Sequence, residues 1–117
     1  MKIVIIIIAS IFLSASCVSQ PRILTGAERT EVYLPLLKNK KVGIFANQTS
    51  VVGYTHLVDT LQKLGIDIKV IFGPEHGFRG TADAGEKVDS YVDEKTGIPV
   101  ISLYGKKRYP SADDLKN

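Results

Sequence analysis

A run of apolar, largely β-branched residues, Ile66-Asp67-Ile68-Lys69-Val70-Ile71-Phe72, ends abruptly in Gly73-Pro74-Glu75-His76-Gly77-Phe78-Arg79-Gly80. The run predicts a buried strand, and the Gly- and Pro-rich segment after it predicts an irregular loop. That loop carries a carboxylate, an imidazole and a guanidinium within five residues. In open α/β sheets ligands sit beyond the carboxyl ends of the strands. Glu75, His76 and Arg79 are therefore candidate site residues, held on backbone that glycine lets bend sharply. The same residues also fit a plain turn, because Gly-Pro and His-Gly pairs are ordinary turn chemistry and a surface Glu-His pair is readily solvated.

The neighbouring segments supply a βαβ frame for this loop. Lys41 to Ala46 predicts a first strand, short and apolar as expected of one covered on both faces. It ends at Asn47-Gln48-Thr49-Ser50. A helix is expected from Thr55 to Leu64, with Leu57, Val58, Leu61 and Leu64 on one face, Thr55 capping the start and Gly65 closing the end. Thr81 to Gly97 lacks a strong period and is expected to wrap over the site as an excursion. Pro99 to Tyr104 predicts a third strand ending at Gly105, and Pro110 to Leu115 the start of a helix with Ser111 as cap. Upstream, Gly26 to Val32 fits a short helix that Pro35 interrupts, with a further turn from Pro35 to Lys38. The fold class is α/β with a mostly parallel sheet.

The amino terminus reads as an address. Met1-Lys2 is a short positive start, Ile3 to Leu13 is almost wholly apolar, and Ser14-Ala15-Ser16 supplies small residues. A spanning helix needs ~20 apolar residues, so residues 1–16 predict a signal peptide and export. Cys17, the only cysteine, stands where a bacterial lipoprotein signal places its lipid-bearing cysteine, although Leu13 lies four residues before it rather than three. Lipidation would hold the chain on a membrane as a periplasmic or cell-surface lipoprotein; the other reading is an unpaired thiol at the end of an ordinary secretory signal. Residues 17–25 then form a tether, and residues 26–117 the folded part of a single domain. The net charge is +3. Its basic clusters, Lys40-Lys41 and Lys106-Lys107-Arg108, are not interleaved with aromatic stacking platforms, which argues against nucleic acid. They read as a solvated rim, with attraction to an anionic polymer as the alternative.

If the sheet is parallel, three strand ends present polar groups in one direction: Asn47, Gln48 and Thr49, then Glu75 and His76, then Tyr104 and Gly105. Sugar chemistry needs such a mix, because a carboxyl group must move a proton while amides and hydroxyls fix the ring. Asn47 could equally bond its own loop, Thr49 could cap, and Tyr104 could be core with its hydroxyl at the surface. No glycine-rich turn follows the first strand and no P-loop occurs, so no nucleotide is expected. The two histidines, His56 and His76, do not make a metal pattern, and His56 is expected to be exposed near a helix start. No Gly-x-Ser-x-Gly elbow is present. A glycosidase would need a second carboxyl group; Glu86, Asp89 and Asp93 are candidates that spacing does not separate.

Several stretches together resemble the amino-terminal part of a bacterial family of exo-acting β-N-acetylmuramidases, formerly a domain of unknown function. They are Lys41 to Thr49, Phe72 to Gly80, Ala84-Gly85-Glu86-Lys87-Val88 and Thr96 to Gly105, in the family's order. The resemblance implies an enzyme that removes terminal N-acetylmuramic acid from the non-reducing end of peptidoglycan fragments in cell-wall recycling. It implies a Rossmann-like, three-layer α/β domain that binds no nucleotide or other cofactor, followed by a smaller domain with the active site between them. In the Pro-Glu-His-Gly motif Glu75 would be the catalytic carboxyl group and His76 would orient it or bind sugar. Asn47 and Arg79 would contact substrate, with Gln48, Thr49, Glu86 and Tyr104 as further binding candidates. Arg79 would suit the lactyl carboxylate of muramic acid. Since the family's proteins run several times further, this chain is expected to be an incomplete, inactive piece of such an enzyme. The rival expectation is a non-catalytic, lipid-anchored module that binds cell-wall fragments.

Overall fold

The computed structural model describes residues 22–116. The expected signal peptide, Cys17 and most of the tether lie outside the described residues. Among the described residues, no helix is long and apolar enough to cross a membrane.

Four strands form one mixed sheet: β1 (Lys41–Phe45), β4 (Asp67–Gly73), β5 (Tyr91–Val92) and β6 (Pro99–Ser102), in the order β1-β4-β6-β5. β1, β4 and β6 run parallel, and β5 runs antiparallel to β6. The three parallel strands are those expected, with their ends shifted by a residue or two. β5 falls inside the segment expected to be irregular. Its two residues, Tyr91 and Val92, are too few for any alternation to show, and only pairing with Val100 and Pro99 makes them a strand.

Between β1 and β4 the chain makes a small hairpin, β2 (Val51–Val52) and β3 (Thr55–His56), and then helix α2 (Leu57–Lys63). Gly53 takes φ +59 at the first of the two turn positions, where a tight hairpin favours glycine. The hairpin consumes the residues expected to open the helix. The cap is consequently His56, whose Nδ1 accepts the Val58 N–H at 3.2 Å, and not Thr55. Gly65 closes α2 with φ +78, as expected.

Helix α1 (Thr30–Leu37) follows a 3-10 turn at Gly26–Glu28 and runs through Pro35 instead of breaking there. A proline deprives only the carbonyl four residues back of its partner, and here that residue, Glu31, is exposed to water. At the other end Ser111 and Asp114 bond reciprocally ahead of a 3-10 turn, Asp113–Leu115: Asp114 Oδ2 accepts the Ser111 N–H at 2.7 Å.

One face of the sheet, carrying Ile44, Ile68, Ile71 and Val100, packs with Val58 and Leu61 of α2 and with Tyr33 and Leu34 of α1. Leu64 does not complete the apolar face of α2; it is half exposed. On the opposite face Gly43 pairs with Val70 and Phe45 with Phe72. Phe45 is 64% exposed, so β1 is not covered on both faces as its composition suggested. The described residues thus build an α/β sheet with one helical layer, two of the three layers of a Rossmann-like domain.

Candidate active site

The loop after β4 owes its shape to a hydrogen-bonded turn, Gly77 N–H to the Pro74 carbonyl at 3.0 Å, with Glu75 and His76 as the central residues. His76 occupies the left-handed region, φ +68, where such a turn ordinarily has glycine. A non-glycine residue there costs about 1–2 kcal/mol, and strain of this kind concentrates at functional sites. The imidazole is tied down: Nδ1 lies 3.0 Å from the Ala82 carbonyl, so it carries the proton and donates. Nε2 is thereby left as the nitrogen free to meet a ligand.

The turn leaves the Glu75 side chain exposed at the carboxyl end of β4. Glu75 Oε1 accepts the Gly85 N–H at 3.2 Å, which draws the 83–86 turn over it. The Tyr104 phenol, at the end of the neighbouring strand β6, lies near the Glu75 carboxylate, which raises the phenol's pKa. Two of the three expected strand ends therefore lie side by side, with Gly73 paired to Ser102.

The third strand end borders the loop without reaching Glu75. Asn47 Oδ1 accepts the Thr49 N–H at 3.1 Å and the Thr49 hydroxyl at 2.8 Å, so the asparagine shapes its own loop. Gln48 and Thr49 are exposed. Gly80, at φ +71, lies so close to Gln48 that an added Cβ would stand 2.8 Å from three of its side-chain carbons. Glu86 is a turn cap, accepting the Asp83 N–H at 2.8 Å.

Arg79 points inward. Its NH1 and NH2 donate to the two oxygens of Asp59 at 3.2 and 2.9 Å, and Nε and NH2 donate to those of Asp93 at 3.0 and 2.8 Å. Four of the five guanidinium hydrogens are engaged in these bonds. Lys95 also donates to Asp59, and the Thr96 hydroxyl to Asp93 at 2.7 Å. Burial alone would push the Asp59 carboxyl up, but the hydrogen bonds from Arg79 and Lys95 reverse this and bring it to about 2. Asp93 is lowered as well, chiefly by its bonds to Arg79. The guanidinium carbon sits 4.4 Å from the centroid of Phe78, which is fully buried. Arg79 is thus placed as a clamp joining the loop after β4 to α2 and to the turn between β5 and β6.

His56 was expected at the surface and is half-buried. Its Nε2–H donates to the Asn47 carbonyl at 2.8 Å while Nδ1 accepts from Val58, which fixes the neutral tautomer. Burial lowers its pKa, partly opposed by the bond to Asn47. Its ring meets Phe78 edge-on at 4.5 Å. His56 therefore ties the loop after β1 to the loop after β4.

Residues 42–117 match the family model described as the amino-terminal domain of the exo-β-N-acetylmuramidase NamZ. The chain belongs to that family. Among its relatives, the peptidoglycan β-N-acetylmuramidase NamZ of Bacillus subtilis (strain 168) is 44% identical over 101 residues, which are 84% of this chain and 24% of that protein. Two crystal structures of DUF1343-family proteins from Bacteroides fragilis NCTC 9343 share the fold. One has a TM-score of 0.61 at 43% identity, covering 78% of this chain and 22% of the other; the second has 0.63 at 36%, covering 74% and 21%. The chain thus spans about a quarter of the length of the relatives it matches.

Proposed function

We propose that this chain carries the acid-bearing part of an exo-acting glycosidase, which removes terminal β-linked N-acetylmuramic acid from peptidoglycan fragments during cell-wall recycling. The observation that carries the reading is Glu75, exposed on a strained turn at a strand's carboxyl end, with the Gly85 N–H directed at its carboxylate and the Tyr104 phenol nearby. Glu75 is the general acid that protonates the leaving oxygen. As the proton departs, negative charge grows on Glu75, and the Gly85 N–H stabilises it where it develops. His76 offers Nε2 to a sugar hydroxyl, and Asn47, Gln48 and Thr49 form the rim beside it. Arg79 serves by holding the loop, since its donors are engaged with Asp59 and Asp93. Export and a lipid on Cys17 would hold the enzyme on the periplasmic or outer face of a membrane, where wall fragments are met.

Release of N-acetylmuramic acid from a chromogenic β-muramide, by the protein at the length of its relatives, tests this reading. Glu75→Gln should lower turnover by roughly 10²–10⁴-fold, the usual contribution of a positioned acid, with unchanged melting temperature. Turnover equal to that of the unaltered protein would sink the assignment.

One observation favours a second reading, a non-catalytic module that binds wall fragments. Each acid weighed as a second carboxyl group is engaged elsewhere: Asp93 by Arg79, Asp89 by Lys87 and Glu86 by its turn. Muropeptide binding without any hydrolysis by the longer protein would support that module.

A further inference from the structure

We propose that the hollow beside Tyr104 is a subsite for a substrate carboxylate, with Lys106 as its cation and Arg108 two residues further along the chain. The inference rests on the muramidase reading, because muramic acid differs from other N-acetylhexosamines by a lactyl ether that ends in a carboxylate. Selecting that sugar calls for a cation near the acid that cleaves it. Arg79, the cation within the Glu75 loop itself, is committed to Asp59 and Asp93.

The segment after β6 supplies the alternative. A hollow of about 160 Å³ is lined by Lys87, Ser90, Ser102, Tyr104, Lys106 and Lys107, with Val88 and Asp89 at its side. Ser102, which lines the hollow, pairs with Gly73 at the end of β4, and Tyr104 follows Ser102 by two residues as Glu75 follows Gly73, so a sugar ring over Glu75 would have its substituent on the side of the hollow. The volume is several times the ~30 Å³ share of one water, enough for a three-carbon acid. Of the cations around it, Lys87 is paired with Asp89 at 2.8 Å and Lys107 with Asp114 at 2.6 Å. Lys106 and Arg108 make no ion pair among the described residues. Lys106 lines the hollow, and Arg108 follows it by two residues. Two cations without ion-pair partners among the described residues, on the segment that follows β6, suit an anion brought to the end of that strand.

The test compares a chromogenic β-muramide with its lactyl methylamide, which keeps the bulk and removes the charge, using the protein at the length of its relatives. The unaltered protein should prefer the acid over the amide. In Lys106→Ala that preference, as the ratio of kcat/KM values, should fall roughly tenfold, the effect of one charge-assisted hydrogen bond. Arg108→Ala added to it should lower the ratio further, and raising the salt should weaken the preference of the unaltered protein. An unchanged ratio, or an equal loss on both substrates, overturns the subsite while leaving the muramidase reading standing. If neither substrate is cleaved, the muramidase reading fails by itself. Calorimetric binding of N-acetylmuramic acid and of its methylamide then decides the subsite: equal affinity for the two, or no loss in Lys106→Ala, overturns it.

Discussion

His76 shows how one backbone angle orders a site. The turn that aims Glu75 requires a left-handed residue after it, and the chain spends an imidazole there instead of the glycine that would be easier. Two variants separate the angle from the ring. His76→Val should destabilise the protein by about 1–2 kcal/mol, because a β-branched residue tolerates φ +68 worst. His76→Gly should keep or raise the melting temperature while lowering turnover, because it relieves the strain and removes Nε2. Thermal denaturation together with muramide hydrolysis distinguishes these outcomes; equal stability of the two variants would show that the turn relaxes. His56 is the converse case. Its ring is spent on two backbone groups, the Asn47 carbonyl and the Val58 N–H, and none of its nitrogens is left for chemistry.

Loops, not strands, hold this site together, and Arg79 is the fastening between them. It joins the loop after β4 to α2 through Asp59 and to the turn between β5 and β6 through Asp93. Asp93→Asn leaves Arg79 with one carboxylate partner in place of two, so it should cost about 1.5–3 kcal/mol near neutral pH, the loss of hydrogen bonds to a charged group. The pH dependence follows from Asp59, whose carboxyl falls from its ordinary 3.8 to about 2 on folding. Because the folded value is the lower one, the clamp's stabilisation is fully present above pH 3.8 and is lost as the pH falls through about 2. Denaturant titrations at pH 7, 4 and 2 should show the gap between the unaltered protein and Asp59→Asn closing over that acid range. A gap independent of pH would show that the cluster is not held by charge. Gly80 fastens the third loop by close approach, since its missing side chain is what admits Gln48.

As a whole molecule, the chain brings one candidate acid, Glu75, to the ends of its parallel strands, whereas glycoside hydrolysis ordinarily uses two carboxyl groups. Release of N-acetylmuramic acid is therefore expected from the protein at the length of its relatives and not from these 117 residues alone. Hydrolysis by the 117-residue chain would require that Glu86 or Asp89 leave its present partner to act. The sequence by itself determined the elements whose signals are local. β1, β4 and β6 are short runs dominated by apolar residues, α2 has its apolar face and closing glycine, and the Gly-Pro-Glu-His-Gly segment carries turn chemistry. Family membership was legible for the same reason, being written in contiguous motifs. Three features were decided only by the tertiary structure. β5 exists because Val100 and Pro99 offer it an edge, and Phe45 is exposed because no described element covers that face. Arg79 turned from substrate toward Asp59 and Asp93, which lie 20 and 14 residues away in sequence and beside it in space. A guanidinium goes where two carboxylates already stand desolvated, and which carboxylates those are depends on the packing of helix against sheet, a property no local pattern carries.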